Sequence, residues 1–200
     1  MKIKRILSVI TVIAILLMTL LSCGDKSYVK VSDMSLEDLE KNVTLCDYKG
    51  LEFVLDSKSK EEAILSYLDV NSAVKCPDGL IDYYVEQIKA QYQYYADQNG
   101  VKYEQMLDML GEDNITIKAE AKRLIKKDMI FELIRRRENI TLSDSEKEQF
   151  FDKYVEKYAE IYDYSEEYVR EELSDFVYDS MLYDKTVEFL IIHNSFVESN

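Results

Sequence analysis

TIKAEAKRLIKKDMIFELIRRRE, at residues 116–138, contains neither glycine nor proline and predicts one long α-helix. At about 100° per residue, its apolar side chains do not stay on one stripe but spread over most sides of the helix from Leu124 onward. A helix that is apolar on most sides is covered by other elements, so we expect this segment at the centre of the fold. Its apolar residues are Ala121, Leu124, Ile125, Met129, Ile130, Phe131, Leu133 and Ile134.

The same helix is basic, although the chain as a whole is acidic. It carries eight Lys or Arg residues against four Asp or Glu residues, a local charge of +4, whereas the whole chain carries −14. The remaining residues therefore carry −18, which predicts a basic central helix wrapped by acidic ones. Because acidic surroundings repel phosphate, the basic residues do not indicate nucleic-acid binding.

The composition favours one folded helical domain. Of 200 residues, 47% are hydrophobic, which is enough for a core and argues against general disorder. One proline and five glycines are few, and this favours long helices over strands and turns. The 16 tyrosines, against no tryptophan, suit surfaces that are sometimes wet and sometimes covered. A general preference for tyrosine among the aromatic residues is the alternative reading.

The amino terminus has the form of a targeting segment. A basic start is followed by an apolar run at residues 6–21, too short and too one-sided for a membrane span. Leu20-Leu21-Ser22-Cys23-Gly24 resembles the lipobox of bacterial lipoproteins, in which the cysteine becomes the first mature residue and carries acyl chains. We therefore expect a signal peptide at residues 1–22, lipidation of Cys23, a polar tether at residues 23–34, and anchoring to the bacterial cell membrane on its extracytoplasmic side. An uncleaved membrane anchor is the alternative.

Capping and turn signals divide the remaining residues into segments. Residues 35–76 predict a lead-in with a short helix capped by Ser35, an extended stretch from Val43 to Leu55, and a weak helix from Lys58 to Leu68. Residues 77–196 predict a helical domain of antiparallel hairpins with short loops. Its helices are expected to begin near Pro77, Tyr103, Thr116, Ser143, Ser165 and Glu172.

The sequence contains none of the common catalytic or metal-binding signatures. There is no Gly-rich phosphate loop, serine nucleophile elbow, zinc signature or calcium loop, so no catalytic residue, cofactor or metal is expected. The single histidine, His193, lies near the carboxyl end, where a carbonyl cap is the better reading than catalysis. Asp128 lies among apolar neighbours and is expected to pair with Arg135, or with Glu132 through water.

Two cysteines remain once Cys23 is assigned to lipidation. Cys46 and Cys76 are candidates for a disulfide in an oxidising compartment, and two free thiols are the alternative.

The order of several segments resembles that of the trigger factor family. Residues 45–51, LCDYKGL, are similar to the L-G-x-Y-K-G-L stretch of that family, with Cys46 in place of glycine. The helix that begins at Pro77 resembles the first helix of the trigger factor carboxyl-terminal domain, and residues 121–146 resemble its next helix and the E-x-I-x-V-T-x-x-E joint. Residues 187–190, VEFL, resemble its closing V-x-x-F-L stretch. The resemblance lies in the order and spacing of these motifs and extends from about Tyr48 to Phe196.

This resemblance implies an all-α, arm-bearing fold that trigger factor shares with the SurA-type periplasmic chaperones. Two parts of trigger factor have no counterpart in the sequence. One is the ribosome-docking domain, and the other is the FKBP-type isomerase domain, for which residues 53–76 leave only a short connection. The resemblance therefore implies client binding without a ribosome and without proline isomerisation.

Together these observations predict a membrane-anchored chaperone-like protein of the cell envelope. It would bind unfolded or partly folded exported polypeptides without ATP and would not be an enzyme. A peptidyl-prolyl isomerase of the trigger factor family and a surface scaffold or binding lipoprotein are the alternatives. We expect clients to contact aromatic and methionine side chains that the core does not need, and plain core packing is the alternative for each. The candidates are Tyr92, Tyr95, Met106, Met109, Phe150, Tyr154 and Tyr158.

Overall fold

The computed structural model describes residues 30–162 and 164–199, and helices dominate both ranges, which confirms the all-α prediction. The expected signal peptide, Cys23 and most of the expected tether lie outside the described residues. In chain order the helices are α1 (Leu36–Asn42), α2 (Lys60–Asn71), α3 (Asp78–Gln98), α4 (Tyr103–Leu110), α5 (Asn114–Glu138), α6 (Asp144–Tyr162), α7 (Glu166–Glu172) and α8 (Ser174–Ile192). Four short strands accompany them: β1 (Val43–Thr44), β2 (Glu52–Leu55), β3 (Ala73–Val74) and β4 (Ser195–Glu198).

Helix α5 is the predicted central helix, and it begins two residues earlier than the apolar pattern indicated. The Asp113 side chain accepts hydrogen bonds from the backbone N–H groups of Ile115 and Thr116, each at 2.8 Å, which satisfies the first free donors of the helix. Asn139, with φ of 53°, ends the helix in the left-handed conformation. All eight apolar residues predicted for this helix are buried, and so is Ile117.

Two apolar clusters organise the packing. The larger one joins α3 and α5 with α1, α2 and the end of α8, and we call this part the large unit. The smaller one, the small unit, joins α6, α7 and the first half of α8. Helix α8 connects them, because Phe176 and Met181 pack in the small unit whereas Leu190 packs in the large one.

The three arginines at the end of α5 are paired within the molecule. Glu132 accepts from both Arg135 and Arg136, each at 2.7 Å, and Arg137 reaches Glu40 on α1 at 3.1 Å. Arg136 also donates to the backbone carbonyl of Ser32, at 2.9 Å, and to that of Met34.

The last residues of the expected tether are therefore packed against the fold. Residues 31–33 form one 3-10 turn. Val31 within this turn and Met34 directly after it are both buried. The tether prediction for residues 23–34 was wrong for residues 31–34, because Arg136 fixes their carbonyl groups and the two apolar side chains join the core.

Neither of the two strand pairings was predicted from the sequence, and the pairing of β4 departs most from the expected helical domain. Strand β4 pairs in parallel with β2, with Phe53 opposite Phe196, and their rings stack at 5.5 Å between centroids. The chain end from Ser195 to Glu198 is thus a strand that lies against the lead-in segment rather than the tail of a helical domain.

Cys46 and Cys76 are free thiols in the structure, and the candidate disulfide between them is not formed. Strands β1 and β3 are antiparallel, and each cysteine follows one of them, so the two thiols lie beyond opposite ends of the ladder. Cys46 Sγ accepts from the Ser72 hydroxyl at 3.2 Å, whereas Cys76 Sγ faces the carbonyl oxygen of Lys122 at 3.8 Å.

Candidate functional site

A cleft of about 500 Å³ lies between the large and small units. The large unit contributes Tyr83 and Tyr84 from α3 and part of α5, and the small unit faces them with aromatic side chains from α6 and α8. Phe176 and Tyr183 are seven residues apart, about two helical turns, and therefore share one face of α8. The aromatic residues of the cleft are Tyr83, Tyr84, Tyr158, Phe176, Tyr178 and Tyr183.

A second cavity, of about 540 Å³, extends the cleft along α8 toward the joint between α5 and α6. Both cavities are lined by Arg135, Tyr178 and Asp179, so they form parts of one trough. Ile140, Leu142 and Leu182 add apolar surface to the second part. The two parts of the trough together are lined by residues of α3, α5, α6 and α8 and of the α5–α6 joint.

A tyrosine–aspartate pair forms part of the cleft wall. The Tyr84 hydroxyl donates to Asp128 Oδ2 at 2.5 Å. Burial raises the pKa of the Asp128 carboxyl above its ordinary value, while the charge of Lys127 and the hydrogen bond from Tyr84 oppose this rise. The predicted pairing of Asp128 with Arg135 was wrong, because Arg135 binds Glu132 and the donor to Asp128 comes from α3.

Further charges face the cleft from α8. Loss of solvent raises the pKa of the Asp179 carboxyl, although Asp179 as a whole residue stays exposed. The negative charges of Asp175 and Asp128 raise this pKa further, whereas the positive charge of Arg135 lowers it. On the other wall, the Lys127 ammonium lies 5.2 Å from the centre of the Tyr183 ring. The cleft therefore combines aromatic faces with charges of both signs, which suits contact with a mixed polypeptide segment better than with a purely apolar ligand.

The predicted client-contact residues do not form one surface. Tyr92 and Met106 are buried in the core, and plain packing explains both. Tyr158 is also buried, but it lines the cleft. Tyr95 and Tyr154 are half-buried, and the Tyr154 hydroxyl donates to Asp184 at 2.6 Å.

The two remaining candidates, Met109 and Phe150, are exposed, at 70% and 39% of their surface, and neither lines the cleft. Met109 lies in α4, just before the turn at Gly111, and Ile115 beyond that turn is also exposed. The sequence did not indicate the other five aromatic residues of the cleft, Tyr83, Tyr84, Phe176, Tyr178 and Tyr183. Tyr83 and Tyr94 are eleven residues apart, so they share one face of α3, and this spacing is a sequence signal that could have indicated the cleft.

No group of three or more His, Cys, Asp or Glu residues in ranges 30–162 and 164–199 is placed to hold a metal ion. Within the same ranges, no helix combines the length and the apolar character needed to cross a membrane. His193 Nδ1 lies 2.8 Å from the carbonyl oxygen of Phe189, the capping position that the sequence indicated.

Comparison with known proteins identifies the fold. Residues 55–192 match the family described as the C-terminus of the bacterial trigger factor protein, and this match covers more than half of the chain. The chain belongs to the trigger factor C-terminal family. The matched range includes the α5–α6 joint and helix α8, two segments whose sequences resemble those of trigger factor.

Individual relatives agree with this assignment. The chain is 24% identical over 171 residues to trigger factor of Caldicellulosiruptor bescii, an alignment that covers 78% of this chain and 36% of the relative. It is 27% identical over 150 residues to trigger factor of Caldicellulosiruptor saccharolyticus, covering 68% of this chain and 32% of the relative. With trigger factor of Bacillus subtilis it shares 22% identity over 142 residues, again with 68% and 32% covered. The chain thus spans about a third of the length of the curated relatives it matches.

Proposed function

We propose that this trigger factor C-terminal family member binds unfolded or partly folded exported polypeptides without ATP. In this proposal, a lipid on Cys23 holds the protein at the extracytoplasmic face of the cell membrane. The family supports a chaperone-like role. The lipobox-like sequence at residues 20–24 supports the anchor.

The observation that carries the proposal is the aromatic trough between the two helical units. Its tyrosine rings offer apolar faces, and their hydroxyl groups remain compatible with water, so the trough can be filled or left hydrated at little cost. Acidic and basic groups along the same walls accommodate the polar residues of a client. Such a surface supports weak and promiscuous binding rather than the recognition of one sequence.

Suppression of aggregation tests this function. A chemically denatured client is diluted into buffer with and without the mature chain, and light scattering is followed in the absence of nucleotide. We expect the chain to reduce scattering from several unrelated clients. Tyr178→Ser removes a half-buried ring that lines both parts of the trough, and it should weaken suppression severalfold.

Phe150→Ser is the matched control, because it removes an exposed aromatic side chain that lies outside the trough. Both variants should keep the helical circular dichroism of the parent chain. Equal losses for the two variants would show that general surface apolarity, not the trough, holds the client. No suppression by the parent chain at severalfold molar excess would overturn the chaperone proposal and favour a scaffold role.

A further inference from the structure

Four tyrosines join the large and small units at one end of the cleft. Tyr94 and Tyr95 belong to α3 in the large unit, whereas Tyr162 and Tyr164 lie at the α6–α7 turn of the small unit. The hydroxyl oxygens of Tyr94 and Tyr164 are 3.4 Å apart. The rings of Tyr162 and Tyr164 lie 6.3 Å apart, and those of Tyr94 and Tyr95 lie 6.0 Å apart. We call these four residues the tyrosine clasp.

The clasp is continuous with the cleft. Tyr162 stacks on Tyr158 at 5.8 Å between ring centres, and Tyr158 lines the cleft. On the opposite wall, Tyr94 lies eleven residues after the cleft residue Tyr83, which is about 16 Å along a helix that rises about 1.5 Å per residue. The two units therefore meet again at the clasp, through Tyr94 and Tyr164, and the stack of Tyr162 on Tyr158 connects the clasp to the cleft.

The polar part of this contact is poorly satisfied. The separation of 3.4 Å between Tyr94 and Tyr164 is long for a hydrogen bond between two hydroxyl groups. Among the described residues, the buried hydroxyl of Tyr162 has no hydrogen-bond partner. Opening the contact would expose apolar ring faces, which is unfavourable, but it would return these hydroxyl groups to water, which is favourable. The opposing terms leave a contact that is easily exchanged for another aromatic contact.

We propose that the tyrosine clasp is a releasable contact, and that a client segment enters the cleft when the clasp opens and then packs on the exposed tyrosine faces. This inference rests on the proposed function of the cleft. The segment it fits is an extended one with aromatic or other apolar side chains, because these replace the ring contacts that opening breaks. The units stay joined during opening by α8 and by the α5–α6 joint near Asn139.

A removable bridge across the clasp tests the proposal. Tyr94→Cys and Tyr164→Cys are introduced into the mature chain, residues 23–200, in which Cys23, Cys46 and Cys76 are serine. Two tyrosines that meet at their tips leave their backbones too far apart for a disulfide, which needs Cα atoms within about 7 Å. The pair is therefore joined with a short bis-maleimide that contains a reducible disulfide. The same pair joined with a long, flexible polyethylene glycol bis-maleimide is the control, because that bridge permits opening.

The first measurement follows the client. With the short bridge, we expect suppression of client aggregation to require several times more protein than with the long bridge, and reduction of the short bridge should restore the original potency. Equal potency of the two bridged forms would overturn the clasp proposal even though the chaperone function stands.

The second measurement does not depend on any client. The chain contains no tryptophan, so Tyr178→Trp places a single fluorescent reporter in the trough. Quenching of this reporter by a bulky soluble quencher should be severalfold weaker with the short bridge than with the long one. If quenching is weaker with the short bridge than with the long one but neither form binds a client, the clasp is supported and the proposed function is refuted. Equal quenching in the two forms would refute the clasp itself.

Discussion

At the scale of single residues, the pair of Tyr84 and Asp128 shows how a charge is tolerated at the edge of the core. The carboxyl of Asp128 accepts from the Tyr84 hydroxyl, and no Lys, Arg or His side chain among the described residues lies within ion-pairing distance of it. A carboxyl in such a place is easier to keep protonated than one in water, which is why burial raises its pKa. The pair is thus a local source of pH dependence in the wall of the cleft.

This pair predicts the sign of one effect on stability. Because the pKa of Asp128 is higher in the folded chain than in the unfolded one, its contribution to stability is present at low pH and is lost as pH rises through the folded pKa. Asp128→Asn removes the titration and keeps an oxygen that accepts from Tyr84. We expect the free energy of unfolding of the variant, relative to the parent, to increase as pH rises above the ordinary carboxyl pKa of 3.8.

Urea unfolding of both proteins at several pH values measures that difference. Asp82→Asn is the control, because it makes the same chemical change at an exposed position of the helix that carries Tyr84. The pH dependence of the Asp128→Asn difference is measured against that of this control. A difference between Asp128→Asn and the parent that is constant across the pH range would show that Asp128 is not perturbed by the fold.

Local residue patterns gave the helix boundaries well but gave the partner of Asp128 wrongly. Ser35, Ser143 and Ser165 cap helices as predicted, because a hydroxyl three residues before a free backbone N–H is a purely local arrangement. Tyr84 is 44 residues from Asp128, and only the packing of α3 on α5 brings the two together. The spacing of residues within one helix holds no information about such a contact.

At the scale of elements, the start of α6 is fixed by a cap and by an ion pair with α8. Ser143 and Glu146 form the predicted capping box. Lys185 of α8 adds a hydrogen bond to Glu146 Oε1 at 2.5 Å and another to the Thr141 carbonyl at 2.7 Å. The hydrogen bond from Lys185, with those from Ser143, lowers the pKa of Glu146 to about 2.

The ion pair between Glu146 and Lys185 predicts that the stability of the small unit falls at acid pH. A lowered pKa in the folded chain gives a stability contribution that is present above the ordinary pKa of 4.5 and is lost as pH falls toward about 2. Lys185→Met should reduce this acid-dependent loss, because the largest cause of the lowered pKa is then absent. Acid titrations followed by the ellipticity of the helices compare the two chains.

Lys157→Met is the control for this comparison, because Lys157 is an exposed lysine of α6 and makes no ion pair with an acidic side chain in the described part of the chain. It should leave the shape of the acid transition unchanged. Identical acid transitions for Lys185→Met and the parent would contradict the assignment of Glu146.

The strands show where element prediction from sequence fails. The extended character of residues 43–55 was predicted from β-branched and aromatic residues, and β1 and β2 lie there. Strand β4 was not predicted, because four residues at the chain end hold too weak a pattern and their partner, β2, is more than 140 residues away. Ring stacking of Phe53 on Phe196, which stabilises the pairing, becomes visible only in three dimensions.

At the scale of the whole molecule, the sequence indicated the fold better than the site. The periodicity of apolar residues shows which face of a helix is covered, but it does not distinguish a face covered by a neighbour from one that borders a cleft. Tyr92 and Tyr178 are both tyrosines at helical spacing, yet one is core and the other lines the trough. That difference depends on how the large and small units are arranged, which involves contacts among α3, α5, α6 and α8 together.

Anchoring of the whole protein predicts a covalent change at Cys23. The basic start, the apolar run and the lipobox-like end of residues 1–24 motivate this expectation. Mass spectrometry of protein extracted from membranes should find Cys23 at the amino terminus with two or three acyl chains. Cys23→Ala should remain unprocessed and unacylated. A mature terminus at another residue, or normal processing of the Cys23→Ala chain, would contradict the proposed anchor.

The connection between β2 and α2 bears on isomerase activity. Only residues 56–59 separate the end of β2 at Leu55 from the start of α2 at Lys60, whereas a domain inserted there would need on the order of 100 residues. We therefore expect the mature chain not to accelerate proline-limited refolding. Uncatalysed isomerisation of an X-Pro bond takes tens to hundreds of seconds, so a refolding protein limited by this step gives a clear baseline.

Binding of the unfolded substrate to the trough should slow refolding, and Tyr178→Ser should relieve this delay if the trough is the site that holds the substrate. A rate that rises in proportion to the concentration of the chain would instead reveal an isomerase site in this fold.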